Sequence, residues 1–201
     1  KGLREFMQGK PLTVKITEID QPDVMLWAIW SIQRYEKYTG PEKCIQMYGK
    51  LVNDIVNFII DGKHPNLRLD DNGLLYSDGR DKAITWMNST ANGHPVVPRT
   101  GYIVEFNSLW YNALKFCAAL NAANGKEKQA EELERRAELC GQSFVDTFYN
   151  EYGYLHDYVD GDYKDWSVRP NMVFTLAFDY SPLSQQQKKT VLDVCTRELL
   201  T

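Results

Sequence analysis

The chain has 201 residues and a formal net charge of −4, so one domain, or a large part of one, is the natural expectation. The negative balance argues against a nucleic-acid partner, because a phosphate backbone is bound by clustered Lys and Arg. No run of about 18 apolar residues occurs, so we expect no membrane-spanning helix.

The four cysteines all lie in apolar stretches with helical spacing. None belongs to a CxxC pair, and none lies near a histidine at the spacing of a metal site. We therefore expect buried free thiols of a cytoplasmic protein rather than a zinc site or a disulfide framework. The residues are Cys44, Cys117, Cys140 and Cys195.

Apolar spacing and end signals predict six helices. They cover approximately residues 22–38, 42–60, 104–124, 127–149, 171–178 and 182 to the end. Tight turns follow the first, third and fifth helices, whereas the links over residues 62–103 and 150–170 are long. Short links join antiparallel neighbours, so the pattern predicts three αα-hairpins in series.

Three such hairpins are half of an (α/α)6 toroid, in which inner and outer helices alternate. Both long links would then emerge at the N-terminal ends of inner helices, where free N–H groups and the helix dipole favour polar ligands. A compact six-helix bundle and an α-solenoid remain as alternatives. The fold class is thus predicted as all-α, with one small β-hairpin around Asn72-Gly73 in the first long link.

The long links combine carboxylates, amides, arginine and tryptophan, a mixture that suits recognition of sugar hydroxyls and sugar rings. No glycine-rich phosphate loop and no GxSxG motif occur, and the three histidines are far apart, so we expect no cofactor and no metal. Asp160 and Asp162 around Gly161 fit a turn better than a calcium loop. Acid–base chemistry by carboxylates remains, and glycoside hydrolysis requires two of them.

Three motifs carry a family resemblance: PDVMLW on the first helix, TWMN followed by PVVPRTGYIVEFNSLWYNAL, and LHDYVDGDYKDWSVRPNMVF. They are similar to motifs of the bacterial and archaeal glycogen debranching enzymes and cover most of the chain in order. The resemblance implies an (α/α)6 glucosidase domain in the cytoplasm. It also implies hydrolysis, with inversion, of a single α-1,6-linked glucose at a branch point of glycogen or limit dextrin.

The resemblance assigns site residues as well. The family's TWMD motif places its general acid where this chain has Asn88, and an amide does not deliver a proton. The second carboxylate is expected beyond Thr201, so residues 1–201 are expected to be one domain fragment, incomplete at its C-terminal side and inactive alone. Substrate-binding roles are implied for Asp23, Trp27, Trp86, Arg99, Glu105, Asn107, Trp110, Asp157, Arg169 and Asn171.

Several of these residues also have structural interpretations. The two tryptophans on predicted helices, Trp27 and Trp110, fit a helical core equally well. Asp23 fits the start of a helix, where the dipole favours a carboxylate. Arg99 fits a structural ion pair with a carboxylate of the same motifs, either Glu105 or Asp157.

Three functions therefore remain open. The first is a debranching glucosidase in which Asn88 is tolerated or in which Asp157 or Glu105 takes over the acid role. The second is a non-catalytic glycan-binding homologue. The third is another (α/α)6 glucosidase, acting on trehalose or other glucosides.

Overall fold

The computed structural model describes residues 21–200, and within them the predicted helices are confirmed. The helices are α1 (Asp23–Thr39), α2 (Pro41–Cys44), α3 (Lys50–Ile60), α4 (Val104–Ala123), α5 (Glu127–Phe148), α6 (Val173–Ala177) and α7 (Gln185–Leu199). A π-helical turn, Ile45–Gly49, continues α2 into α3 with helical backbone angles. A 3-10 turn, Pro170–Met172, leads into α6. The predicted domain over residues 1–201 also includes residues 1–20 and 201, which lie outside the described part.

The sequence signals at the helix ends correspond to local backbone geometry. Gly40 has a φ of 82° and ends α1, and Gly62 has a φ of 65° just after α3. Both values lie in the left-handed region, which glycine adopts without a steric penalty. Ser184 caps α7 in a reciprocal capping box with Gln187, so this helix starts after Ser184 rather than directly after Pro182.

Helix α4 is the centre of the molecule, because α1, α5 and α6 all pack against it. Its polar side chains bind each of its neighbours rather than solvent. Ser108 is hydrogen-bonded to Thr175 of α6 at 2.5 Å, and Asn112 donates to Gln33 of α1 at 2.8 Å. Buried polar groups need such partners, so the bonds also select one arrangement of the helices.

The long links contain more β structure than the sequence predicted. The strands are β1 (Arg68–Leu69), β2 (Leu75–Ser77), β3 (Thr90–Ala91), β4 (His94–Pro95), β5 (Gly101–Ile103), β6 (Tyr158–Asp160) and β7 (Tyr163–Lys164). β1 and β2 are the predicted hairpin, which is confirmed, with Gly73 in its turn at a φ of 80°. The predicted, mainly α-helical class is confirmed, but the β structure goes beyond one hairpin: five strands form one antiparallel sheet in the order β1-β2-β5-β6-β7, and β3 pairs with β4.

The pairing of β5 with β6 joins the two long links, with Tyr102 opposite Val159 and Ile103 opposite Tyr158. β5 continues directly into α4, since Ile103 ends the strand and Val104 begins the helix. The sheet therefore connects both long links to the N-terminal end of the central helix. Strands of two or three residues are too short to show the alternation of apolar and polar residues from which strands are predicted. Their pairing partners are also distant in the sequence.

The cysteines behave as expected: all four are buried and free. Burial raises the pKa of the Cys117 thiol to about 12, which makes this thiol unreactive at neutral pH. Within residues 21–200, no helix combines the length and the apolar character needed to cross a bilayer.

The contact between β5 and β6 is tested by Gly101→Ala. Gly101 has a φ of +96°, and an added Cβ would lie 2.1 Å from the carbonyl oxygen of Val159. Because that atom is backbone and cannot move aside, we expect the free energy of unfolding of the full-length protein to fall by about 2–4 kcal/mol. Denaturant titration measures this loss.

The matched control is Gly93→Ala. Gly93 also has a positive φ, +82°, but its Cβ would have no atom within 4 Å. This variant is expected to lose only about 1 kcal/mol. Equal losses in the two variants would contradict the close approach of β5 to β6.

Candidate active site

The buried carboxylate of Asp157 is the centre of the site. Asp157 lies immediately before β6, and Arg99 lies two residues before β5. Arg99 donates from Nε to Oδ2 at 2.8 Å and from Nη2 to Oδ1 at 2.9 Å. Both side chains are at most 1% exposed. The antiparallel pairing of β5 and β6 thus brings together residues that are 58 positions apart.

Arg99 binds a second buried carboxylate, that of Glu105 in the first turn of α4. Its Nη1 donates to Oε1, and its Nη2 donates to Oε2 at 2.6 Å. Burial alone would lower the pKa of Arg99, but the two facing carboxylates outweigh it and raise that pKa above its ordinary value. Arg99 therefore stays charged and links the sheet to the central helix.

Arg169 and Asn171 complete the surroundings of Asp157. Arg169 donates from Nη1 to Asp157 Oδ2 at 2.7 Å, and Asn171 donates from Nδ2 to Asp157 Oδ1 at 2.6 Å. Both oxygens of Asp157 thus accept bonds from two residues each. Arg169 also contacts Asp165 Oδ2 at 3.1 Å. We call this set of side chains the Asp157 cluster: Arg99, Glu105, Asp157, Asp165, Arg169 and Asn171.

Asp165 lies on the more open side of the cluster, beside Arg169. Burial alone would raise the pKa of Asp165, but hydrogen bonds from Ser167 and Arg169 leave it below its ordinary value. With two guanidinium groups and three carboxylates, the cluster is held by charge-assisted bonds throughout. Such an arrangement fixes the positions of these side chains.

The segment Trp86–Asn88 contacts the Asp157 cluster through its first residue, Trp86. Its indole Nε1 donates to Asn171 Oδ1 at 3.0 Å, while the side chain remains 52% exposed. Met87 Sδ lies 3.4 Å from Asn171 Nδ2. Asn88 follows and is exposed. Asn171 therefore connects the buried Asp157 cluster to the exposed ring of Trp86. The exposed Asn88 is two positions after Trp86 in the sequence.

Asp23 and Trp27 form a separate pair at the start of α1. Trp27 donates from Nε1 to Asp23 Oδ2 at 3.2 Å, and its ring packs edge-on against Phe174 of α6 at 5.2 Å. Burial raises the pKa of the Asp23 carboxyl, and the bond from Trp27 partly opposes this. Asp23 lies in the first turn of α1, as its interpretation as a helix-start residue requires. Trp27 packs against the core but is only partly buried, so part of its ring can still contact a ligand.

Asn107 and Trp110, which were predicted to bind glucan, have side chains that are buried and hydrogen-bonded within the protein. Asn107 accepts from the Leu75 N–H at 2.7 Å and donates to the carbonyls of Leu75 and Ile103, both at 3.1 Å. Trp110 is 1% exposed and donates to the carbonyl of Gly73 at 3.2 Å. They fasten the β1–β2 hairpin to α4.

Two residues of the second long link were not predicted as site residues, Asp165 and Trp166. Asp165 lies four positions before Arg169 and bonds to it, and Trp166 is exposed beside the cluster. Two features of the sequence could have indicated these residues: a carboxylate four positions before an arginine, and a tryptophan in a polar link. Asp160 and Asp162 flank Gly161 in the β6–β7 turn, as predicted. Among residues 21–200, no three His, Cys, Asp or Glu side chains are grouped as metal ligands.

A sequence model of the amylo-alpha-1,6-glucosidase family matches residues 17–201. The match contains every residue of the Asp157 cluster, the Trp86–Asn88 segment and the Asp23–Trp27 pair. A search of curated proteins found no match.

The role of Arg99 as the shared partner of two carboxylates is tested by Arg99→Met. The substitution leaves Glu105 and Asp157 buried without this cation, so we expect the free energy of unfolding to fall by about 3–5 kcal/mol at pH 7. The loss should shrink at pH 5, because Glu105 would keep no facing cation, whereas Asp157 keeps Arg169. Burial raises the pKa of the Glu105 carboxyl, so this group loses its charge as the pH falls. Denaturant titration of the full-length protein at both pH values measures this.

Arg135→Met is the control, because Arg135 pairs with Glu132 on the surface, where the two side chains are 72% and 41% exposed. It should change stability by less than about 1 kcal/mol at either pH. A loss for Arg99→Met that does not depend on pH would argue against unpaired carboxylates as its cause.

Proposed function

Because the chain belongs to the amylo-alpha-1,6-glucosidase family, we propose that it binds a branched α-glucan, glycogen or limit dextrin, and contributes to hydrolysis of α-1,6-linked glucose with inversion. The observation that carries the proposal is the bond from Trp86 to Asn171, which also donates to Asp157. This bond connects the segment Trp86–Asn88, which contains the position of the family's general acid, with the rigid Asp157 cluster. A cytoplasmic location is part of the same proposal.

The proposed architecture of the complete domain is an (α/α)6 toroid. Two features support it: the serial helical hairpins, and the sheet that joins both long links at the start of α4. In such a toroid, loops at the N-terminal ends of the inner helices would surround the substrate. The Asp157 cluster agrees with this proposal, because its members lie in the two long links, in the 3-10 turn that leads into α6 and in the first turn of α4.

Substrate binding is proposed to divide between exposed and buried residues. The exposed face of Trp86 suits stacking against the C–H groups of a glucose ring, and the amide of Asn88 suits its hydroxyls. Arg169 is 20% exposed and is the more accessible of the two guanidinium groups in the cluster. Arg99 and Glu105 do not reach solvent and are proposed to act indirectly: Arg99 holds Asp157 in place, and Glu105 in turn holds Arg99.

A catalytic role requires a general acid, and this chain has Asn88 at the position where the family has that acid. Inverting hydrolysis needs one protonated acid and one base on opposite sides of the sugar. The two carboxylates considered as replacements for Asn88, those of Asp157 and Glu105, are buried and each accepts hydrogen bonds from Arg99, so neither faces an open substrate site. We therefore propose that hydrolysis by the natural protein uses a carboxylate other than those of Asp157 and Glu105.

A second candidate function is glucan binding without hydrolysis. It is favoured by Asn88 itself, an amide at the position of the acid, together with the full set of bonds on both oxygens of Asp157. Under this proposal the domain binds branch points and leaves them intact.

Release of glucose from limit dextrin by the full-length protein decides between the two functions. We expect slow release by the natural protein and an increase of about 10²–10⁴-fold in Asn88→Asp, the usual contribution of general acid catalysis. Asn124→Asp is the matched control, since Asn124 is exposed in the turn after α4 and should leave the rate unchanged.

Each outcome is informative. Release only by Asn88→Asp would establish the non-catalytic homologue, and equal rates for the natural protein and Asn88→Asp would exclude it. No release by either protein would refute the glucosidase proposal. A panel including trehalose and other glucosides separates debranching from another glucosidase activity.

A further inference from the structure

The five tryptophans differ sharply in exposure, and all lie within the described residues. Trp110 is buried, and Trp27 and Trp30 pack partly into the core. Only two are strongly exposed: Trp86 at 52% and Trp166 at 46%. An exposed tryptophan leaves a large apolar ring in water, so its surroundings indicate whether the exposure is incidental.

Trp166 is held in place from several sides. Its ring packs perpendicular to His156 at 4.3 Å and edge-on to Tyr152 at 5.9 Å, and Tyr152 is itself 66% exposed. Tyr154 donates from its hydroxyl to the Trp166 carbonyl at 2.9 Å. The ring is therefore fixed by its neighbours, and together with Tyr152 it presents an aromatic surface to solvent.

Both exposed tryptophans connect to the same buried carboxylate. Trp86 reaches Asp157 through Asn171. Trp166 follows Asp165, whose carbonyl accepts from the Asp157 N–H at 3.1 Å and whose side chain contacts Arg169, itself a donor to Asp157. The two rings thus come from different long links but share one rigid support.

We propose that Trp166 and Tyr152 form a second glucan-binding surface, which holds glucose units of the chain beyond the glucose bound near Trp86. Aromatic faces bind the apolar C–H faces of sugar rings, and the Tyr152 hydroxyl can exchange hydrogen bonds with sugar hydroxyls. The ligand is neutral and needs no charged partner at this surface, and the carboxylate of Asp165, next to Trp166 in the chain, is already paired with Arg169. This inference rests on the proposed function.

The test compares a short and a long saccharide. Binding of glucose and of maltoheptaose to the full-length protein is measured by calorimetry for the natural protein, Trp166→Ala and Trp166→Phe. We expect Trp166→Ala to weaken maltoheptaose binding about tenfold, which corresponds to about 1.4 kcal/mol, and to leave glucose binding within about twofold. Trp166→Phe keeps an aromatic face and should lose clearly less.

Tyr38→Ala is the control, because Tyr38 is 90% exposed at the end of α1 and belongs to neither long link. It should bind both saccharides like the natural protein. Unchanged maltoheptaose binding in Trp166→Ala, with natural binding intact, would overturn this inference alone. Equal weakening for glucose and maltoheptaose would also overturn it, because Trp166 would then support the site rather than bind the chain. Absence of any saccharide binding by the natural protein would instead refute the proposed function.

Discussion

One buried guanidinium, that of Arg99, is shared by the carboxylates of Asp157 and Glu105. Taking these charges out of water is costly, and the cost is offset only because nearly every donor and acceptor is paired in good geometry. The consequence is mechanical: the start of α4, the strand β5 and the segment before β6 are fixed relative to one another. The two long links cannot separate without exposing this set of charges.

The same interaction fixes the surroundings of Asp157. Its carboxylate accepts hydrogen bonds from Arg99, Arg169 and Asn171, so its orientation is set by three different side chains. The cluster is therefore a rigid support, and the tryptophan side chains that remain exposed on the long links are those of Trp86 and Trp166. Asn88 is also exposed and lies two positions after Trp86.

The central helix α4 is also attached to its neighbours by buried polar side chains, but these are neutral amides rather than charged groups. Asn107 joins α4 to the hairpin, Asn112 joins it to α1, and Asn121 donates to Asn53 of α3 at 2.9 Å. Neutral amides cost less to bury than charges, yet each still requires one specific partner. The helices are thus positioned by directed bonds in addition to apolar packing, which is the rigidity that a site built from loops requires.

The sequence by itself determined the local features: six helices, their unequal links, the Asn-Gly hairpin and the family motifs. These follow from periodicity, turn chemistry and residue order, which are properties of neighbouring residues. The tertiary structure decided what depends on distant partners. It paired β5 with β6, turned Asn107 and Trp110 inward, and left Trp86 and Trp166 at the surface. Burial and ion pairing depend on which segments meet in space, and the spacing of residues along one segment does not specify that.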